Sequence, residues 1–163
     1  MLESDLFLTE LSARLSARLS EVFDGPQGDW AFILNPGDVG LLRQLDAISA
    51  AEASRRPMPG RTTIASHIDH VLYGLTLLNR WAEGEKNPWA DADWQASWKR
   101  PEVTDAQWQA LRDQLARQAA AWQKHVSQRT DWDAMAISGA LASLAHTAYH
   151  LGAIRQILAA VKG

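Results

Sequence analysis

The chain has 163 residues, 47% of them hydrophobic and 21% charged, with a net charge of −3 and no cysteine. That length suits one domain able to bury a core without staples, and the composition is that of a globular chain, not a disordered one. The lack of cysteine excludes disulfides, thiolate zinc sites, thiol catalysis and iron–sulfur clusters, and the lack of a basic run argues against a nucleic-acid partner. The start, Met1-Leu2-Glu3-Ser4-Asp5, has neither the basic opening nor the apolar core of a signal peptide. No apolar run approaches the ~20 residues of a membrane span. A cytoplasmic protein with no membrane partner is therefore expected. Eight tryptophans point to a thick core or a self-association surface.

In chain order, residues 3–23 carry Leu6, Leu8, Leu11, Leu15, Leu19 and Val22 at helical spacing, and Asp24-Gly25-Pro26 stops that helix. Residues 27–36 form a connector. Its Trp30, Phe32, Ile33 and Leu34 are too apolar for a free loop and are expected to pack as a lid over one bundle end. A helix through Leu41, Leu42, Leu45 and Ile48 follows, and Arg55-Arg56-Pro57-Met58-Pro59-Gly60 is a clear break. Thr62 or Thr63 offers an N-cap for a helix running to about Glu83, with Ile64, Ile68, Val71, Leu75 and Leu78 on one face. Residues 85–103 make an irregular connection holding Trp89, Trp94 and Trp98. Thr104-Asp105-Ala106-Gln107 is close to a capping box and opens a helix ending near Gln128; the last helix spans about Ala136 to Val161. No strand-like alternation occurs. The pattern is all-α, with about five helices, four of which can close into a bundle.

The chemistry concentrates in histidine. His146 and His150 lie four apart on the last helix, so they share a face. At roughly 100° per residue that face is the apolar stripe of Ala153, Ile157 and Val161. Buried imidazoles need partners, because an unpaired polar group inside a protein costs about 1–3 kcal/mol. A divalent metal is one such partner, and imidazole is its commonest ligand. His67 and His70 lie on a second predicted helix, and bundles build metal sites from facing helices in this way. Two ligands one turn apart plus a third from another helix would leave coordination positions open, as catalytic sites require. Chance His-x-x-x-His pairs and hydrogen-bonded core histidines are the competing explanation. Thr147 stands where a His-Glu-x-x-His metalloprotease has its glutamate, and no carboxylates on the core stripes suggest a di-iron bundle. His67 lies nearer the centre of its apolar stripe and His70 at its margin, so the pattern mildly prefers His67 as the third ligand.

These residues resemble a known family. Thr63-Ile64, five further residues and His70-Val71 look like a motif on the second bundle helix of the DinB-like superfamily, the metalloenzymes of the DinB and YfiT type related to bacillithiol and mycothiol transferases. His146-Thr-Ala-Tyr-His150-Leu-Gly152 looks like that family's His-x-x-x-His-x-Gly on the last helix. The resemblance covers roughly residues 40–160. It implies an up-down-down-up four-helix bundle with an additional N-terminal helix: one domain over 1–163, with 1–35 as the added helix and connector and 36–163 as the core bundle. It also implies one divalent ion per chain, nickel or zinc, and a homodimer. Carried over, the metal ligands are His70, His146 and His150, and His67 becomes a neighbour behind a ligand or a substrate contact. Many members carry His-His-Arg-Gly on the last helix where this chain has Tyr149-His150-Leu151-Gly152. That departure puts in doubt any anionic thiol site using the missing groups. Arg155 is better read as a solvated helix-end charge than as a substitute.

Asp69 and Tyr149 are weak catalytic candidates: the wheel turns Asp69 away from the stripe, and Tyr149 flanks it. His125 reads as exposed. The tryptophans of the second connection read mainly as packing, with a pocket mouth as the alternative. The expected function is a metal-dependent enzyme in which a three-histidine ion activates water or a small thiol for hydrolysis or transfer. The alternatives are a non-catalytic, stress-linked metal- or ligand-binding bundle, or a purely structural one.

Overall fold

A computed structural model describes residues 3–163, with side chains from residue 6 onward. The described residues form helices α1 (Glu3–Asp24), α2 (Leu41–Asp46), α3 (Ala50–Ser54), α4 (Ile64–Ala82), α5 (Asp105–Gln128) and α6 (Ala134–Lys162), with a single 3-10 turn at Ala96–Trp98 and no strand. The long helices start where side-chain oxygens meet the free N–H groups of a first turn. Thr63 accepts from Ser66 N, Asp133 accepts from Ala136 N, and Thr104 with Gln107 closes a full capping box.

The four long helices make the bundle. α1 and α4 each pack against both α5 and α6, which puts α1 opposite α4. The first helix is thus one of the four and not an appendage to a bundle built from residues 36–163. The expected helix over residues 41–53 is instead two short pieces. Ser49 interrupts it with a second capping box to Glu52, and both pieces sit at one end of the bundle, α2 against α1 and α5, α3 against α4, α5 and α6. Leu19, Val22, Phe23, Leu41, Leu45, Ile64, Ile68, Leu115 and Ile154 are almost wholly inaccessible and form the core. Two tryptophans satisfy their indole N–H inside it, Trp108 donating to Ile48 O (2.7 Å) and Trp122 to Ser143 Oγ (2.8 Å), and the half-buried Trp132 donates to Ser12 Oγ (2.7 Å) at its edge.

The first connector departs from expectation. Trp30 is 83% exposed and Phe32 75%, so this segment is no apolar lid; only Leu34 packs on the core. The reason lies in the backbone. The buried carboxylate of Glu21 accepts the N–H groups of Phe32 (2.8 Å), Ile33 (2.6 Å) and Leu34 (2.9 Å). Burial pushes the Glu21 carboxyl upward, but these three N–H groups and Arg18 outweigh it and hold it below the usual carboxylate range. The loop is anchored through its main chain, and its side chains point outward. The connector's end is fixed by a tight backbone crossing. A Cβ on Gly40 would lie 2.3 Å from Gly25 N, so only glycine fits. Arg155 is not a free helix-end charge either: it bonds Asp38 Oδ2 (3.0 Å) and Val39 O (2.7 Å).

Candidate metal centre

α4 and α6 are neighbours in the bundle, and their packed faces bring four of the five histidines together. His150 is 1% exposed, His67 7% and His70 8%, and His146 is half-buried. The Nε2 atoms of three rings converge: His146 Nε2 lies 3.1 Å from His70 Nε2 and 2.9 Å from His150 Nε2. One ring nitrogen from each of His70, His146 and His150 falls within 4.8 Å of the other two. Among the described residues this is the group of three that could hold a metal ion.

The outer nitrogens explain why the inner ones point inward. His70 Nδ1 lies 2.8 Å from Ser97 Oγ, which itself donates to Trp94 O (2.7 Å). Ser97 therefore accepts from His70 Nδ1–H, and Nε2 keeps its lone pair. His150 Nδ1 lies 2.8 Å from His67 Nδ1, and His67 Nε2 lies 2.9 Å from Thr62 Oγ1. A consistent assignment runs His150 Nδ1–H to His67 Nδ1, then His67 Nε2–H to Thr62. His67 thus stands behind His150, on the side away from the cluster. Its burial equals that of His70, so the position on the helical wheel does not separate the two; the nitrogen each presents does.

This arrangement leaves lone pairs facing one another. His70 and His150 both present bare Nε2 atoms to His146 Nε2, which can donate to one of them at most. At least one acceptor then lacks a donor, in a site where that is costly. Protonation is no remedy. Burial first, then the neighbouring His146, His67 and His70, push His150 down to about 3; burial, then His146 and His67, push His70 down to about 4. Burial also lowers His67 and His146. Neutral imidazoles are the form that binds a metal. With metal–nitrogen bonds of about 2.1 Å, ligand nitrogens at right angles sit about 3 Å apart, which matches the spacing of His146 Nε2 from His70 Nε2 and from His150 Nε2. The residues present fit a divalent ion.

The surroundings are aromatic. Trp98 stacks on His70 (centroids 4.2 Å, planes 22° apart) and meets His67 edge-on at 5.2 Å. A cavity of about 460 Å³ adjoins His70 and His146, with Val71, Leu75, Leu78, Trp89 and Trp94 among its walls. The second connection therefore shapes a site as well as packing. Asp69 pairs with Arg100 (3.2 Å). Tyr149 is 70% exposed and touches His150 only by a ring edge, centroids 5.1 Å apart. His125 is half-buried beside Glu83. Ser97 had no signal in the sequence, because it sits in an aperiodic stretch. Thr62 was visible only as a possible cap.

No curated protein and no solved structure matches the chain. The family model described as the DinB superfamily matches residues 40–154, a stretch that includes all four clustered histidines. On that match, made over most of its length, the chain belongs to the DinB superfamily.

Proposed function

We propose that the protein is a divalent-metal-dependent enzyme in which His70, His146 and His150 hold one ion per chain, nickel or zinc. The observation that carries this reading is the convergence of three Nε2 atoms, with the outer nitrogens of His70 and His150 already engaged by Ser97 and His67. Bound there, the ion would supply Lewis acidity and lower the pKa of a coordinated water or small thiol for hydrolysis or transfer. The chain's own residues do the rest. Ser97 and His67 hold two rings in the tautomer that offers Nε2. Trp98 shields their flank from water. The cavity beside His70 and His146 receives the substrate. Neither Asp69 nor Tyr149 has a placement that supports a role as base. The proposed protein is cytoplasmic and homodimeric. Support for the dimer comes from α6, which has no Asp, Glu, Lys or Arg from Ala134 to Ile154 yet exposes Met135, Leu141 and Tyr149.

The test is metal content by mass spectrometry on tag-free protein after incubation with nickel and zinc. Near one ion per chain is expected, lost in His70→Ala and His150→Ala and kept in His67→Ala at saturating metal. A wild-type protein that takes up neither metal overturns the reading. Full loading without turnover over a panel of esters and thiols would select the non-catalytic binding module instead.

A further inference from the structure

The cavity at the histidine cluster has walls of one chemical kind, and they restrict what can occupy it. None of the described residues lining it is Asp, Glu, Lys or Arg. Its two hydroxyl side chains are already used: Ser143 Oγ accepts from Trp122 Nε1 (2.8 Å) and donates to Ala140 O (2.8 Å), and Thr147 Oγ1 donates to Ser143 O (2.8 Å). A carboxylate held in the body of this space, away from the histidines, would lose its hydration and meet no cationic side chain in exchange. Arg155, the cation nearest the motif in sequence, is bonded to Asp38 and Val39.

The space itself depends on two glycines inside helices. Gly74 on α4 and Gly139 on α6 both line the cavity. Neither has a positive φ, so the backbone does not call for glycine, which weakens a helix interior relative to alanine. Packing does not call for it either. A Cβ on Gly74 would meet His146 Cε1 at 3.8 Å and Trp94 Cζ3 at 3.9 Å, and one on Gly139 would meet Leu78 Cδ2 at 3.8 Å and Trp81 Cζ3 at 3.9 Å. These are ordinary contacts, so what the missing side chains leave is room next to the histidines, between aromatic and aliphatic walls.

We infer that the substrate has an uncharged aryl or alkyl body that fills the cavity beside Gly74 and Gly139, and one small coordinating head directed at the histidines. Thiols that carry several ionised groups, glutathione among them, are poor occupants. The head rests on the metal reading proposed above; the body rests on the cavity alone.

The experiment uses the full chain in two arms. Toluene, which has no head, is titrated into metal-free protein while the indole N–H resonances of Trp89 and Trp94 are followed. Benzyl mercaptan and glutathione are titrated into nickel-loaded protein by calorimetry. Toluene should shift both indole signals, and benzyl mercaptan should bind at least tenfold more tightly than glutathione. Gly139→Leu should abolish the toluene response at wild-type nickel content. Gly139→Ala, which fits without displacing its neighbours, should weaken that response at least threefold and guards against misfolding of the larger variant. The inference is overturned if toluene leaves the indoles unmoved, if Gly139→Ala binds it as wild type does, or if glutathione binds as tightly as benzyl mercaptan. A protein that takes up no nickel refutes the metal reading alone, and the toluene arm still decides the cavity's occupant.

Discussion

Lowering the pH should destabilise the metal-free protein well above the range where carboxylates titrate. In the folded state His150 titrates at about 3 and His70 at about 4, against 6.5 for an ordinary imidazole. A folded pKa below the unfolded one means that the unfolded chain binds more protons between those values, so stability falls as pH drops below 6.5. At about pH 5 each ring is 1.5 units below its unfolded value, which at 1.36 kcal/mol per unit costs about 2 kcal/mol per ring. The two together come to roughly 4 kcal/mol, a large share of the 5–15 kcal/mol that holds a typical domain folded. His67 and His146 are shifted the same way and add to the effect. The carboxylates held below their usual range, Glu21, Asp38 and Glu52, have ordinary values of 4.5, 3.8 and 4.5; the stability they contribute is lost as pH falls from those values through the lowered ones, mostly below this window. The assay is urea unfolding in the presence of chelator, followed by tryptophan fluorescence at three pH values between about 7 and 5. The midpoint should fall steadily. A His70→Gln, His150→Gln double variant should flatten the dependence, and saturating nickel should oppose it at the upper end. A midpoint that stays level down to about pH 5 in the metal-free wild type would refute the placement of these rings as buried, neutral groups.

Further outcomes follow from single contacts. His67→Phe removes the acceptor behind His150 Nδ1 and should weaken metal affinity about 10- to 100-fold without changing stoichiometry at saturation. Competition against a chelator measures this, and an unchanged affinity would make His67 a bystander. Glu21→Gln replaces a buried carboxylate that accepts three backbone N–H groups; urea unfolding at neutral pH should show a loss of about 2 kcal/mol, and a loss below half that would mean the connector holds itself. Tyr149→Glu places a charge in the exposed, uncharged face of α6. Light scattering should show a monomer where the wild type is a dimer, and a wild type that is monomeric at high concentration rejects the dimer.

What the sequence determined by itself is local. Helix starts were legible because caps are read within three residues. Thr63, and Thr104 with Gln107, stand where the first-turn N–H groups need an acceptor. The one-face placement of His146 and His150 was legible too, since it needs only 3.6 residues per turn. Four such helices with apolar stripes admit few solutions other than a bundle. The tertiary structure decided whatever depends on a partner distant in the chain. No pattern in residues 3–24 distinguishes an added helix from a bundle member, because only the facing stripes of α5 and α6 make it one. Trp30 and Phe32 looked like buried residues, and they are outside because Glu21 takes their segment by its backbone. His67 and His70 are buried to the same depth, and periodicity reports depth alone. They differ in which nitrogen is engaged, Nδ1 of His70 by Ser97 and Nε2 of His67 by Thr62, and both partners lie outside the long helices, where no helical period exists to be read.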